Sequence, residues 1–260
     1  MNPQLRRRIA SAALIIGFFV VWELACLASG IKDIVLPRPS QILVTLWTRL
    51  PAIMPHAAQT LYTTLVGFAL GILSGVAIGA LIGSSRLAYD VAYPLLIGFS
   101  SIPKVAVVPI FVLWFGAGTV PAVLTAMILC IFPIVVNVAT GLATTEPELE
   151  DVMRSLRATR LEILTNVGLP RTMPYFFASL KVAITFAFVG TIVAETVAAN
   201  KGIGNLMLVA SSRFEVPLAF AGLLVTSVMG IGMYLIAEVV ERRMTGWATR
   251  GVDGGMTAQG

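Results

Sequence analysis

Six apolar runs restrict this chain more than any other feature of it. They cover residues 9–29, 60–83, 91–115, 120–143, 174–199 and 217–237. Each reaches the roughly 20 residues that an α-helix needs to cross a hydrocarbon layer. In lipid the backbone has to satisfy its own hydrogen bonds, so runs of this length form helices. Of the 260 residues 57% are hydrophobic and 12% charged, against about 25% charged in soluble domains. Mean hydropathy is +0.91. The expectation is an all-α integral membrane protein: one transmembrane domain over residues 1–250, then a polar, glycine-rich tail at 251–260 expected to be disordered.

Six crossings put both ends on one side, and Lys and Arg decide which. One face collects Arg6, Arg7, Arg8, Arg86, Arg154, Arg157, Arg160, Arg171, Arg242, Arg243 and Arg250; the other collects Lys32, Arg38, Arg49, Lys201 and Arg213. This asymmetry places both termini in the cytoplasm. It also accounts for the pI near 9.6 without a nucleic-acid partner. The N-terminal run has a basic start and small residues at its end, like a signal peptide. Trp22 and Glu23 sit poorly before a cleavage site, and the run reads as an uncleaved anchor. Cys26 and Cys130 fall inside apolar runs with no metal or disulfide spacing.

Between the fourth and fifth runs lies a polar island, residues 144–171. Thr145 and Glu148 form a T-x-x-E capping box, with Pro147 in the first turn, where its missing N–H costs least. Glu146, Glu148, Glu150 and Asp151 load that turn with negative charge, which suits a helix N-terminus. Leu149, Val152, Met153 and Leu156 then make one apolar stripe. A second box, Thr159 to Glu162, starts another helix, which Pro170 is expected to end. The segment is a two-helix elbow on one side of the bilayer, a knob for a soluble partner.

Other signals lie along the spans. Leu36-Pro37-Arg38-Pro39-Ser40 leads into a short amphipathic helix, capped by Ser40 and too short to span, expected on the outer surface. His56, the sole histidine, is expected at that surface. Gly67, Gly71, Gly75, Gly79 and Gly83 line one helix face, where a neighbouring backbone can touch. Pro94, Pro103 and Pro109 break the third run, and the break centres on Ser100, Ser101, Pro103 and Lys104. Broken backbone at membrane depth has to face protein or a water-filled cavity. A charge such as Lys104 there costs about 2.5–3.5 kcal/mol by insertion scales. It reads either as an attractor of an anionic substrate or as a structural pair that snorkels. Lys181 and Glu195 share the fifth run, about 21 Å apart by helix rise. Lys181 can snorkel; Glu195 either lines a path or caps an outer loop.

The elbow resembles the signature loop of ABC importer permeases, the loop that docks into a cleft on the ATPase subunit. Its frame here is Asp151-Val152-Met153, Arg157 where that pattern has Gly, then Val167-Gly168-Leu169-Pro170. The surrounding Arg154-Ser155-Leu156-Arg157-Ala158-Thr159-Arg160 is similar to the nitrate/sulfonate/taurine/bicarbonate branch. So are Leu36–Gln41, Ile102–Ala106 with Pro109 and Leu113–Gly116, and Glu195 with Gly202-Ile203-Gly204. If Arg157 adopts the left-handed backbone that glycine takes there, it costs about 1 kcal/mol.

The resemblance implies the six-helix type I importer permease fold with a cytoplasmic coupling elbow. It also implies a second copy of the permease, two cytoplasmic ATPase subunits that hold ATP and Mg, and an external substrate-binding protein, all in a bacterial inner membrane. Coupling falls to Glu148, Leu149, Asp151, Val152, Met153, Arg154, Leu156, Arg157, Ala158 and Thr159. Ser100, Ser101, Pro103, Lys104 and Glu195 are the candidate path. The chain has no G-x-x-x-x-G-K-[ST] loop of its own and is expected to bind no cofactor or metal. The implied cargo is a small anion such as a sulfonate, taurine or nitrate, or alternatively a pyrimidine vitamin precursor. An ion-coupled carrier or channel would leave the elbow unexplained. An intramembrane enzyme would need an H-E-x-x-H, a paired-aspartate or a serine–histidine set, none of which the sequence contains.

Overall fold

A computed structural model describes residues 3–144 and 147–256. Its helices are α1 (Pro3–Ser29), α2 (Pro39–Gly83), α3 (Arg86–Ser100), a 3-10 turn (Lys104–Val107), α4 (Val108–Phe115) and α5 (Thr119–Ala143). There follow α6 (Pro147–Ser155), α7 (Arg160–Ile163), a π turn (Leu164–Gly168), α8 (Leu169–Ala198), α9 (Ile203–Ser212) and α10 (Val216–Met256).

The core is α2 against α5 against α8, and small residues set its spacing. A Cβ on Gly67 would lie 2.5 Å from Ala126 Cβ, on Gly75 2.9 Å from Ile134, on Gly79 2.8 Å from Val138 and on Gly83 2.8 Å from Leu142. Such distances are closer than carbon atoms pack, so the two backbones lie in direct contact. Residue numbers rise together along the seam, so α2 and α5 run parallel. The chain between them must therefore recross the membrane, and α3 with α4, bent by 76°, is that crossing. Its far end is marked by Gln59, whose Nε2 donates to Thr119 Oγ1 at 3.2 Å. The break at 101–103 thus interrupts one crossing, which makes six in all.

Helix α8 runs back along α5, with Gly141 against Thr172 and Gly190 against Thr125 and Ala126. Helix α10 is antiparallel to α8, with Met233 on Ile184 and Phe188 and Lys181 paired to Glu241. The end of α1 is tied to the start of α2, where Ser40 N–H and O–H both donate to the Glu23 carboxylate at 3.0 and 2.7 Å. These directions put Pro3, Gly83, Ala143, Leu169 and Thr245 on one side, the side of the elbow.

Three expectations are corrected. The helix expected at 40–50 is not separate: α2 is continuous over 45 residues through Pro51 and Pro55. Two prolines remove two helix hydrogen bonds, and tertiary packing holds the helix across them, with Ile42 and Ile53 buried against Ala221, Leu206 and Leu218. Its cap is Arg38, whose N–H donates to Gln41 Oε1 at 3.1 Å, and not Ser40. Pro170 does not end a helix but sits in the first turn of α8, where it has no hydrogen bond to lose. Helix α10 runs to Met256; residues 257–260 of the tail lie outside those described.

Candidate coupling elbow and membrane break

The elbow begins beyond the described part of its first capping box: Thr145 and Glu146 lie outside the described residues, as do the side chains of Glu150 and Arg154. Helix α6 ends in a tight reversal. Leu156 N–H donates to Val152 O at 3.2 Å, and Ala158 N–H reaches back to Met153 O at 3.0 Å. That six-to-one bond is the Schellman closure, which needs a left-handed residue just before its donor. Arg157 supplies it, with φ at +62°. The residue that departs from the usual glycine therefore keeps the glycine's backbone, at a cost of about 1 kcal/mol.

Helix α7 starts with the second box intact. Glu162 accepts from Thr159 N–H at 2.6 Å and from its O–H at 2.8 Å, and Thr159 Oγ1 accepts from Glu162 N–H at 3.3 Å. The Thr159 N–H, and next its hydroxyl, hold the Glu162 carboxyl below the usual carboxylate range. The π turn then feeds α7 directly into α8, so the elbow's second arm and a core helix form one element.

The apolar stripe on α6 is split by its surroundings. Leu149 and Met153 are half-buried, whereas Val152 and Leu156 stand 56% and 72% exposed. Glu148, Asp151, Arg157 and Thr159 are exposed and Ala158 is half-buried. Two bare apolar side chains ringed by charges make a knob.

At the break in the third crossing, Ser100, Ser101 and Pro103 are exposed and Lys104 is half-buried. Lys104 Nζ donates to Ser100 O at 3.0 Å and lies 4.9 Å from the centre of the Phe132 ring. The cation thus caps the carbonyl end of α3 and rests on an aromatic face. An ammonium has three protons to donate; one goes to this carbonyl. The open backbone around it cannot face lipid, so protein or water covers this face in the membrane.

Glu195 is not part of that group. It is 1% exposed, and its Oε2 accepts from Thr60 O–H at 2.8 Å and Gly204 N–H at 3.1 Å. Thr60 Oγ1 accepts in turn from Ile203 N–H at 2.8 Å. This places Glu195 level with Thr60 and Thr119, whereas Lys104 lies by Phe132, about 20 Å further along α5. Glu195 locks the first turn of α9 to α2 and α8, and it lines no open path in the protomer. Gly202, at φ +133°, sits so close that any Cβ would enter the Glu195 carboxyl group.

Sequence reasoning missed three partners. His56 is half-buried, with Nδ1 2.9 Å from Gly202 O and 3.2 Å from Gly202 N. Thr60 bridges α2 to α9. Lys181 does not simply snorkel: it pairs with Glu241 on α10. The two glycines of Gly202-Ile203-Gly204, following a buried acid, were the available signal for the Glu195 lock. Nothing local announces the Lys181–Glu241 pair. Among the described residues no cluster of His, Cys, Asp and Glu is placed to hold a metal ion.

The family model for binding-protein-dependent transport system inner membrane components matches residues 67–246. The formylaminopyrimidine transport permease protein ThiX of Halalkalibacterium halodurans is 31% identical over 88% of this chain and 91% of its own length. The nitrate import permease protein NrtB of Leptolyngbya laminosa is 29% identical over 88% of each chain. A solved inward-facing structure of the MetNI methionine ABC transporter superposes with TM-score 0.66 at 16% identity, covering 76% of this chain and 98% of that one.

Proposed function

The chain belongs to the binding-protein-dependent transport system inner membrane components, as the multi-pass permease subunit of an ABC importer, and from that premise we propose how it couples and what it carries. The elbow docks into a cytoplasmic ATPase subunit, which binds ATP and Mg and carries out the hydrolysis. Two copies of the permease face each other across the exposed break at Ser100–Lys104, with a solute path between them. An external binding protein delivers the solute. Both termini share the elbow's side, and the arginine asymmetry makes that side the cytoplasm.

One observation carries this reading: an exposed apolar knob, Val152 and Leu156, stands on α6, which a tight reversal joins to a second arm continuous with a core helix. A partner that grips the knob and moves acts on α8 through that reversal, α7 and the π turn. Burying Leu156 in an apolar cleft contributes about 2 kcal/mol. A charge there would have to be desolvated without a partner, at a cost of several kcal/mol. Leu156→Asp should therefore release the ATPase while the permease stays folded. Reconstituted uptake should require ATP and the binding protein and ignore an imposed ion gradient; uptake driven by a gradient alone would favour the carrier reading.

The cargo is a small organic or inorganic anion such as a sulfonate, taurine or nitrate. Lys104 supports this, as a cation at the break with protons to spare. Lys104→Glu should then reduce anion uptake with ATPase assembly intact. A pyrimidine vitamin precursor is the second reading. The similarity to a formylaminopyrimidine permease favours it, as does the role Lys104 already has as a cap. Uptake that survives Lys104→Glu selects this second reading.

A further inference from the structure

Arg157 occupies the one position of the elbow where the backbone asks for glycine. Its φ of +62° closes the end of α6 through the Ala158-to-Met153 bond. Phe214 is the other non-glycine residue with positive φ among the described residues. An L side chain at such an angle is strained, and asparagine or glycine would hold the turn at lower cost. The arginine gains nothing from the described residues in return. Its side chain is exposed, and it makes no ion pair or hydrogen bond with a described residue. It stands beside Leu156, which is 72% exposed. A strained position that holds a long, unpaired cation beside an exposed apolar anchor has the layout of an interface: a hydrophobic centre with a charged rim.

We propose that Arg157 is a specificity contact, its guanidinium meeting a carboxylate on the rim of the ATPase cleft that receives the elbow and so selecting the cognate ATPase. This rests on the docking reading given above. Arginine suits the role better than lysine because its planar fork can hold a carboxylate through two parallel hydrogen bonds. Rim charges act mainly on partner choice and association rate, and their effect is screened by salt. Arg157 therefore decides which ATPase binds, while Leu156 and Val152 supply most of the affinity.

The test uses the permease in lipid nanodiscs and the purified ATPase subunit encoded with it, with association measured at low and high ionic strength. Arg157→Asn keeps a residue that tolerates the left-handed backbone and removes the charge. It should weaken binding about fivefold to tenfold at low salt, with the difference vanishing at high salt. Its thermal stability should equal or exceed that of the parent. Arg157→Glu should weaken binding further, and Arg157→Lys should restore part of it. Arg157→Gly gives a second uncharged variant with no backbone strain. If the Asn and Gly variants bind as tightly as the parent, or more tightly, at every salt concentration, the proposal is overturned. Leu156→Asp separates the two levels. If it leaves association intact, the docking reading has failed and this proposal falls with it. If it abolishes association while Arg157→Asn has no effect, this proposal alone falls.

Discussion

Gly75 shows how one hydrogen atom in place of a side chain decides a membrane fold. A Cβ there would lie 2.9 Å from both Ile134 Cβ and Cγ2, so α2 and α5 would have to part. Gly75→Leu should lower the yield and melting temperature of folded permease, by about 1–3 kcal/mol of overpacking or more. Ala77→Leu, on an exposed face of the same helix, should be tolerated; equal behaviour of the two on size-exclusion and thermal melts would remove the packing argument. Glu162 carries a pH dependence of known sign. Its folded carboxyl titrates below its unfolded value because Thr159 N–H and O–H favour the ionised form. The cap's contribution is therefore complete above the unfolded carboxylate range and is lost as pH falls through the folded value. Amide exchange across residues 159–163, corrected for intrinsic rate, should accelerate between pH 6 and pH 3. Glu162→Gln, which keeps a side chain able to close the box, should abolish that pH dependence; a parent with no acceleration would contradict the cap.

Among the elements, α8 has the central role, because it is elbow arm, core helix and lock at once. It leaves the elbow through a π turn, packs on α5, pairs with α10 through Lys181–Glu241, and ends at the Glu195 lock on α9. Motion of the elbow's second arm therefore reaches α9 through one continuous rod, and the knob on α6 joins that rod at the Arg157 reversal. The Lys181–Glu241 pair is only partly exposed, so breaking it leaves a charge in poorly solvated surroundings. Lys181→Met should loosen α8 from α10 and cost about 1–2 kcal/mol, read as a lower melting temperature and reduced coupled ATP hydrolysis. The exchange Lys181→Glu with Glu241→Lys should restore most of both. Failure of the exchange to rescue, with each single change harmless, would make the pair incidental. The elbow's second box, the apolar stripe and the glycine stripe were all legible as patterns, because caps and helix faces depend on residues a turn apart. The continuity of α2 through Pro51 and Pro55 was not, because α9 and α10, distant in sequence, hold it.

At the scale of the whole molecule, topology follows from the direction of one seam. Since α2 and α5 are parallel, six crossings are required, and the elbow shares a side with both termini. The absolute side rests on the arginine asymmetry and is open to direct test. A cysteine at Ser212 should react with an impermeant thiol reagent added to intact cells, and one at Ser155 should react only after lysis; labelling of Ser155 from outside would invert the arrangement. The exposed break at Ser100–Lys104 and the bare sides of α1, including Leu14, Ile16 and Phe18, are left uncovered within the chain; lipid suits the apolar sides of α1, and protein or water suits the break. The sequence by itself determined that the chain lives in a membrane, which runs cross it, that the third crossing is broken, and that an elbow leaves the bilayer. Those properties are set by hydropathy, proline and capping chemistry, which act over a few residues. Tertiary structure alone decided that α2 lies parallel to α5 and that Glu195 is a buried lock far from Lys104. Each of these depends on which backbone meets which across the fold, and close approach between residues distant in the chain is written in no single stretch of it.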